Sequence, residues 1–374
     1  MKDLVKRVIY TFFSVFPIKK NKIICNNFYS KGYGDNPKYI VNELLKHKEK
    51  YEIYWICQSK YNDTLPNGVI PVNSAFKYLY HFATAKVWIS NVRLPLYLSK
   101  RKRQYYIQTW HGALGFKKIE EDAMQSLSKN YIKSAKKDTK QIDLFISNSK
   151  FLSNIYRTAF WYKNNEILEV GIPRNDILKK NDIKLQKALK ERLNVSGYNI
   201  LLYAPTFRVV NSKKIYDIDP EKLVNLLEKI TNSKWKILVK LHPNIDNPDE
   251  YFNFSDNVVN VSYYSDINEL FFITDILITD YSSCAFDYMT LNKPVFIYAN
   301  DLESYIKERD FYINFKEVPF PIALNKKELA KNIENNINKD FSSLYKDFIK
   351  HYGVNETGNS SKEIVKIIDK VIGD

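Results

Sequence analysis

The sequence predicts an α/β protein with parallel β-sheets in two domains. Short runs of apolar and β-branched residues alternate with amphipathic helical segments along most of the 374 residues. Such alternation is typical of parallel sheets whose strands are joined by right-handed helical crossovers. The hydrophobic fraction of 45% is sufficient to bury large cores, and the chain length favours two domains.

The strand pattern occurs in both halves of the chain. In the first half we expect strands at 22–28, 52–57, 68–72, 86–90, 105–109, 143–147 and 166–170, with helices at 38–46, 75–84 and 150–160. In the second half we expect strands at 199–203, 236–241, 275–279 and 294–298. Pro173 and the polar run 174–182 mark the exit from the first domain. We therefore expect a first domain at 21–182, a linking helix within 183–197, a second domain at 198–325 and helices at 326–374.

Residues 1–20 form a separate segment. Apolar side chains recur there at helical spacing with basic residues between them, and Pro17 ends the pattern; the apolar positions are Leu4, Val5, Val8, Ile9, Phe12, Phe13 and Phe16. Lysines follow at positions 19, 20 and 22. A basic amphipathic helix of this kind is able to lie in the interface of an anionic membrane or to pack on the body of the protein, and the sequence leaves both interpretations open.

The charge and cysteine content limit the class of protein. The formal net charge is +15, from 57 Lys and Arg against 42 Asp and Glu, which favours an anionic partner. The basic residues are dispersed and show no RNA-binding signature, so we expect no nucleic-acid partner. Three separated cysteines and no secretory signal predict a reducing cytoplasm without disulfides. No apolar run approaches the length of a membrane span.

Groups that bind anions follow three of the four predicted strands of the second domain. They are Arg208, then Lys240 with His242, then Ser282 with Ser283. Ligands of open parallel sheets bind beyond the carboxyl ends of the strands, so these groups are expected to converge on one phosphate or pyrophosphate. Either serine suits the N-cap of the helix that follows, which places a positive helix end in the same crevice. For this last stretch alone, an ordinary serine-capped turn is the alternative.

The first domain has its own strand end at Trp110-His111-Gly112. A histidine there, with a pKa near neutrality, suits a general base that takes a hydroxyl proton, although a lone histidine is more often structural. Asp35 and Asn36, in a glycine-containing loop, are candidates to contact an acceptor. Pro37 occupies the third glycine position of a dinucleotide-binding loop, so we reject that motif. The histidines and cysteines show no zinc spacing, and we expect no metal and no cofactor.

These motifs together resemble the CDP-glycerol glycerophosphotransferase family of teichoic-acid primases and polymerases. The resemblance spans about 22–314 and rests on five ordered motifs: 109–112, 203–208, 240–243, 279–283 with 286–288, and 293–295 with 301–305. It implies a GT-B fold, in which two Rossmann-like domains with parallel sheets face each other across a cleft. It also implies acceptor binding in the first domain, CDP-alcohol binding in the second, a C-terminal region that crosses back to the first domain, and peripheral attachment to the inner face of the cell membrane.

The resemblance also implies a reaction and residue roles. His111 is similar to the family's base, which takes a proton from a hydroxyl of the acceptor as that hydroxyl attacks the β-phosphorus of CDP-glycerol and CMP is released. The groups similar to the pyrophosphate ligands are Arg208, Lys240, His242, Ser282 and Ser283. Weaker nucleotide candidates are Asp280, Asp287 and Glu303, and Asp287 has the alternative of capping its own helix. The acceptor-side candidates are Asp35, Asn36, Trp110 and Gly112.

Two departures from the family pattern concern the acceptor and the alcohol. The chain has Ala113 and Leu114 where many members have a proline, and Arg309-Asp310 where Arg-Gly is usual. The transferred group is therefore glycerol phosphate, ribitol phosphate or another alditol phosphate, passed to a lipid-linked polyol phosphate or glycan. The first rival is a GT-B glycosyltransferase that uses a nucleotide sugar for surface polysaccharide synthesis. The second is a non-enzymatic protein that binds membranes or nucleic acid.

Overall fold

The structure of the protein is a computed structural model, which describes residues 3–163, 165–208, 213–242, 245, 247–308 and 310–373. Met1 and Lys2 of the predicted N-terminal helix, and Pro243 and Arg309 of the motifs, lie outside these residues. The chain divides into two units. The first consists of Met1–His111, Ile119–Asp176 and Tyr352–Asp374, and the second of Gly112–Lys118 and Ile177–His351.

The first unit contains a seven-stranded sheet in which every strand pair is parallel. The strands are β1 (Lys19–Asn26), β2 (Glu52–Ile56), β3 (Val69–Val72), β4 (Ala85–Ser90), β5 (Tyr105–Gln108), β6 (Leu144–Ser147) and β7 (Glu166–Glu169). Their order across the sheet is β3-β2-β1-β4-β5-β6-β7. The order reverses between β1 and β4, which makes the carboxyl ends of these two strands the switch point where doubly wound sheets bind ligands.

Five helices of the first unit lie before residue 177: α1 (Asp3–Phe13), α2 (Asp35–Leu44), α3 (Ala75–Thr84), α4 (Lys129–Thr139) and α5 (Lys150–Ala159). Serines begin three of them, because the hydroxyls of Ser74, Ser128 and Ser149 accept a backbone N–H of the first turn. The last helix of the chain, Ser360–Gly373, also belongs to this unit and places Ile364 and Ile368 in its core.

The second unit repeats this architecture with six parallel strands. They are β8 (Asn199–Tyr203), β9 (Trp235–Val239), β10 (Val258–Asn260), β11 (Ile276–Thr279), β12 (Val295–Tyr298) and β13 (Ile322–Ala323), in the order β10-β9-β8-β11-β12-β13. The switch point therefore lies between β8 and β11. Its helices are α6 (Ile183–Arg192), α7 (Pro220–Thr231), α8 (Ile267–Ile273), α9 (Cys284–Tyr288), α10 (Leu302–Glu308), α11 (Lys326–Asn336) and α12 (Ser342–Tyr352). The final helix of the first unit is α13.

Short segments of 3₁₀ helix lie in several connections. Their bounds are Leu45–Lys50, Ser59–Thr64, Glu120–Ser126, Pro173–Lys179, Lys213–Tyr216, Pro248–Glu250 and Met289–Leu291. The predicted linking helix corresponds to α6, which is grouped with the second unit. Of the predicted C-terminal region, residues up to His351 stay with the second unit, and the segment from Tyr352 is grouped with the first.

Helix α1 packs on α3 through one face and exposes apolar side chains on the other. Tyr10 is buried and its hydroxyl donates to the carbonyl of Ser99 at 2.7 Å, while the ring of Phe13 lies 5.5 Å from those of Phe76 and Tyr80. Apolar residues on the opposite face are more than 45% exposed: Leu4, Val5, Val8 and Phe12. Among the described residues, no helix combines the length and apolar content that a membrane span needs.

Candidate functional site

The predicted base lies at the carboxyl edge of the first sheet. His111 follows β5 by three residues, and Asn91 directly follows β4 at the switch point. The imidazole Nδ1 of His111 lies 2.7 Å from the backbone carbonyl oxygen of Asn91. A carbonyl only accepts, so Nδ1 carries the proton and Nε2 keeps its lone pair in the neutral ring. No described residue hydrogen bonds Nε2.

The protonation state of His111 follows from its surroundings. The ring is half-buried and stacks on Trp110, with ring centroids 4.2 Å apart. Burial lowers the pKa of His111, against the opposing effects of the Asn91 carbonyl and the Asp35 carboxylate. The imidazole is therefore neutral at pH 7 and available as a proton acceptor.

The backbone around His111 is held by a buried ion pair. Arg174 donates through Nη1 to the carbonyl of His111 at 2.8 Å and to Oδ2 of Asp35 at 2.9 Å. Asn36 donates to the carbonyl of Trp110 at 3.0 Å. Asp35, Asn36, Trp110 and His111 are thus brought together within the first unit. The predicted acceptor contacts of Asp35 and Asn36 remain predictions, and the structure adds that both are buried and have internal partners.

Trp110 carries unusual backbone geometry beside the candidate base. Its φ of +50° lies in the left-handed region, which a bulky residue adopts only when its surroundings impose it. The indole packs edge-on against Phe160 at 4.7 Å, and the Arg93 guanidinium lies 5.9 Å from the indole ring. Arg93 is itself paired with Glu120 and Asp138. This arrangement holds the Trp110 ring, on which His111 stacks.

The second unit gathers its charged residues at the switch point between β8 and β11. Arg208, which follows β8, donates through Nη2 to Oδ2 of Asp280 at 2.9 Å and through Nε to Oδ2 of Asp301 at 2.8 Å. It also donates to the carbonyl of Thr206 and to the second oxygen of Asp301. Four of the five guanidinium N–H groups therefore have acceptors inside the protein.

The cluster around Arg208 is anionic overall and well packed. One guanidinium faces two carboxylates, and its centre lies 4.9 and 4.6 Å from the rings of Tyr281 and Tyr305. These two rings stack at 3.8 Å. Burial alone would lower the pKa of Arg208, but Asp280 and Asp301 outweigh it and raise the pKa. Arg208 therefore stays charged, its charge is balanced by the two carboxylates, and it holds together the loops that carry Asp280 and Asp301.

Lys240 and His242 lie on the neighbouring strand end. Lys240 follows β9 and donates through Nζ to the backbone carbonyls of Tyr264 at 2.7 Å and Ser262 at 3.4 Å. Burial lowers the pKa of Lys240 to about 8. His242 is exposed, and its ring lies 5.4 Å from that of Phe207, two residues beyond Pro205. The strand ends of β8 and β9 thus bring His242 close to the loop that carries Arg208.

Ser282 and Ser283 form the turn between β11 and the five-residue helix α9. Ser283 precedes the helix but makes no capping bond with its side chain, whereas Ser282 accepts from the Cys284 backbone N–H at 3.3 Å. Asp280 braces this turn, since its carboxylate accepts from the backbone N–H groups of Tyr281 and Thr206. No described residue accepts a hydrogen bond from the Ser283 hydroxyl, which is half-buried and available to a ligand.

The weaker nucleotide candidates lie in different environments. Asp287 is buried in the last turn of α9, and Ser283 holds the position before that helix, so Asp287 is not at its cap. Glu303 is exposed on the first turn of α10.

Several residues of these clusters were not assigned a role from the sequence. Asp301 follows β12 by three residues, and the strand-end rule would have included it. Asn91 directly follows the predicted strand 86–90, so the same rule would have included it. Arg174 carries no sequence signal, because it acts through contacts between distant parts of the chain. Lys117, a further cation in the second unit, lies with Nζ 5.0 Å from the Tyr305 ring.

The segment that directly follows His111 in sequence packs within the second unit. A Cβ added at Gly115 would lie 3.5 Å from the Cβ of Ser283, so the backbone passes close to the serine turn. Phe116 packs on Phe286 at 4.8 Å, and its carbonyl accepts from the backbone N–H of Tyr312. Gly112, predicted to allow close approach of a ligand, begins this segment.

Comparisons with known proteins identify the family. The family described as CDP-Glycerol:Poly(glycerophosphate) glycerophosphotransferase matches residues 8–370. The chain is 33% identical over 373 residues to a teichoic acid poly(glycerol phosphate) polymerase of Staphylococcus epidermidis, covering 95% of this chain and 51% of that protein. It is 32% identical to a teichoic acid glycerol-phosphate transferase of Staphylococcus aureus, covering 99% of both. The chain thus spans about half of the first relative and nearly all of the second.

Solved structures agree with this assignment. A structure of the wall teichoic acid polymerase TagF, a histidine variant soaked with CDPG, aligns with a TM-score of 0.86 and 32% identity, over 100% of this chain and 94% of that one. The predicted two-domain GT-B fold is thereby confirmed. With a match across nearly its whole length, this chain is an enzyme that belongs to the CDP-glycerol:poly(glycerophosphate) glycerophosphotransferase family.

Proposed function

We propose that the protein transfers glycerol phosphate, or a related alditol phosphate, from a CDP-alcohol to a hydroxyl of a membrane-linked polymer. The acceptor oxygen forms a bond to the β-phosphorus of the donor, and the bond from that phosphorus to the bridging oxygen breaks. CMP leaves with the electron pair, and His111 takes the proton of the attacking hydroxyl. The names of the relatives, which specify glycerol phosphate, support CDP-glycerol as the first donor to test.

The state of His111 is the observation that carries this proposal. A general base needs an unprotonated nitrogen at neutral pH, and the bond from Nδ1 to the Asn91 carbonyl leaves that nitrogen at Nε2. The pKa lowered by burial keeps the ring neutral. The ring also lies at the ligand edge of a doubly wound sheet, three residues beyond β5.

On the donor side, we propose that the pyrophosphate binds at the carboxyl edge of the second sheet. The Ser283 hydroxyl, the third N–H of Lys240 and His242 are the groups proposed to bind its oxygens. Arg208 contributes one remaining N–H and holds the loop in place through Asp280 and Asp301. Stabilising the charge that grows on the departing CMP is the electrostatic work that such donors do.

The donor class is tested by incubating the purified protein with a lipid-linked acceptor and one nucleotide at a time. The panel consists of CDP-glycerol, CDP-ribitol and a set of UDP-sugars. We expect CMP release with a CDP-alditol, an acceptor mass that rises by whole alditol phosphate units, and no turnover of UDP-sugars. Turnover restricted to a UDP-sugar would replace the proposal with a GT-B glycosyltransferase.

We also propose that the enzyme works as a peripheral protein on the cytoplasmic face of the membrane, attached through α1. Val8 and Phe12 are each 62% exposed, on the face opposite the one that packs on α3. Lysines follow the helix at positions 19 and 20, where they are able to contact anionic headgroups.

Substitution on the exposed face of α1 tests the attachment. Val8→Asp with Phe12→Asp is expected to reduce co-sedimentation with phosphatidylglycerol vesicles while activity on a soluble acceptor persists, because neither side chain is part of a core. Ile183→Asp is the matched control, since this residue is 71% exposed in the second unit. Equal vesicle binding by both variants would remove α1 as the attachment.

A further inference from the structure

Four residues of the first unit form a closed ring of hydrogen bonds through His111. The Nδ1 of His111 bonds to the carbonyl of Asn91, and the side-chain Nδ2 of Asn91 donates to Oδ1 of Asp35 at 3.1 Å. Oδ2 of Asp35 accepts from Nη1 of Arg174, and the same Nη1 donates to the carbonyl of His111. The ring therefore starts at the imidazole and returns to the backbone of the same residue.

The three partners of His111 in the ring are buried and are held by additional bonds. Asn91 is fully buried, and its amide also donates to Asn27 at 2.8 Å and accepts from the Phe28 backbone N–H at 3.0 Å. Asp35 and Arg174 are 8% and 4% exposed. Because the amide of Asn91 is fixed by three partners, its backbone carbonyl has little freedom to leave Nδ1.

Asp35 adopts a backbone conformation that the ring requires. Its φ is +56°, in the left-handed region that aspartate tolerates better than most residues. Its carboxylate also accepts from the backbone N–H of Asn36 at 2.7 Å, which fixes the side chain at the start of α2. This geometry aims one oxygen at Asn91 and the other at Arg174.

We propose that Asp35, Asn91 and Arg174 are positioning residues that fix the ring orientation and the tautomer of His111. The inference rests on the proposed function of His111 as the base. None of the three is proposed to touch the substrate or the donor. Asn91 holds the proton on Nδ1, Arg174 holds the backbone of His111, and Asp35 joins the two into one unit. Partners of this kind orient the group that performs the chemistry.

The charges of the ring give a test that separates this role from simple packing. Three charged groups act on the imidazole: Asp35 on α2 raises the pKa of His111, Arg174 beyond β7 lowers it, and Glu120 of the 3₁₀ turn Glu120–Ser126 raises it. Glu120 is paired with Arg93, so its effect is partly compensated. Removing one partner of the Asp35–Arg174 pair leaves the other uncompensated beside His111.

The experiment measures kcat against pH for three variants at saturating donor. Asp35→Asn keeps the shape of the side chain. It is expected to lower the pKa of His111, because the Arg174 charge is then uncompensated, and so to move the acid limb of the kcat profile, where kcat falls at low pH, to lower pH. Arg174→Gln is expected to move the limb to higher pH, because Asp35 then acts alone. The double variant removes both charges, and its limb is expected to return towards that of the unchanged protein.

The size of kcat gives the second readout. Loss of such a partner typically reduces activity about tenfold to a hundredfold, and we expect this in kcat while the donor KM stays unchanged. The pH at the midpoint is unaffected by partial unfolding as long as the folded fraction is the same at every pH, and circular dichroism of each variant across the pH range checks this. Asp143→Asn is the matched control, since Asp143 pairs with Lys100 at the amino edge of the same sheet.

The outcomes separate this inference from the function on which it rests. Limbs that stay in place, or move in the same direction for Asp35→Asn and Arg174→Gln, would overturn the positioning role while His111 remains the base. Full activity of His111→Ala would instead remove the base itself. A limb that moves equally in the Asp143→Asn control would also overturn the inference, because it would show a general response to lost charge.

Discussion

The two sheets carry different chemistry at equivalent positions. The residue directly after the fourth strand is Asn91 in the first unit and Asp280 in the second. The residue three positions after the fifth strand is His111 in the first and Asp301 in the second. In the first unit these positions hold an asparagine and a histidine, and the imidazole bonds to the backbone carbonyl of the asparagine. In the second unit they are two carboxylates that share one arginine.

The comparison shows what the arginines do. Each edge contains a buried arginine paired with aspartate: Arg174 with Asp35 in the first unit, and Arg208 with Asp280 in the second. A buried charge needs a partner, and a paired guanidinium contributes little net positive field to a ligand. Both arginines therefore fix loops at the switch point. The groups proposed to act on the substrates are neighbours of these loops. They are the His111 imidazole in the first unit, and the Ser283 hydroxyl with the Lys240 ammonium in the second.

The largest effect is expected from the first edge. His111→Ala is expected to reduce kcat by ~10² to 10⁴, the usual contribution of a general base, with the dissociation constant for CDP unchanged. Stopped-flow turnover and calorimetric titration with CDP measure the two quantities. His47→Ala is the control, because His47 is exposed after α2. A His111→Ala variant that loses CDP binding in proportion to kcat would assign the histidine to the donor instead.

The second edge is expected to respond in stability. Arg208→Gln leaves Asp280 and Asp301 without their common partner, and breaking a buried pair costs about 3–5 kcal/mol. Hydrogen exchange of the β11 amides, which lie beside Asp280, reports that loss. Arg192→Gln is the control, since Arg192 is 57% exposed in its pair with Glu269 and an exposed pair contributes at most about 1 kcal/mol. Unchanged exchange with weaker CDP binding would show that Arg208 acts only as a ligand contact and does not hold the loop.

Most of the architecture was predictable from the sequence because it depends on local pattern. Buried parallel strands are continuous apolar runs, and the strand Asn199–Tyr203 was predicted with its observed bounds. A local signal also marks the start of α3, where the Ser74 side chain accepts a backbone N–H of the first turn. The strands β10 and β13 were missed, since segments of three and two residues contain too little pattern to identify. Pairing with a neighbouring strand, rather than propensity, makes them strands.

The candidate sites were predictable only in outline. The strand-end rule located His111, Arg208 and Ser283, because it depends on topology that the pattern of strands reveals. It could not show that Arg208 is paired with two carboxylates, since Asp301 lies 93 positions further along the chain. The same limit applies to Arg174, which was interpreted as part of a polar connection. Partnerships between distant side chains follow from the fold and leave no periodic signal.

A smaller effect is expected from the serine turn. Ser283→Ala removes a hydroxyl proposed to bind the donor, and a hydrogen bond to a charged group contributes about 1.5–3 kcal/mol. The donor KM should therefore rise roughly tenfold to a hundredfold at nearly unchanged stability. Ser304→Ala is the control, since its hydroxyl donates to the Asp301 carbonyl on the exposed side of α10. Equal KM values for the two variants would remove Ser283 from the donor site.

The smallest expected effect, and the one that separates the two edges most directly, is the dependence on pH. The base form of His111 is neutral, and its pKa lies below the ordinary value, so kcat should hold at neutral pH and fall only as the pH drops through that lowered pKa, below about 6.5. The cationic form of Lys240 has a pKa of about 8, so its attraction for the pyrophosphate should be lost as the pH rises through that value. Donor KM should therefore rise on the alkaline side while kcat does not.

Two kinds of variant separate these pH dependences. Lys240→Arg should remove only the rise of donor KM at alkaline pH, because arginine keeps its charge there. His111 variants should affect only the acid limb of kcat. A single variant that moves both limbs would show that the two edges titrate as one site, and the division of labour between an imidazole edge and a cation edge would then be wrong.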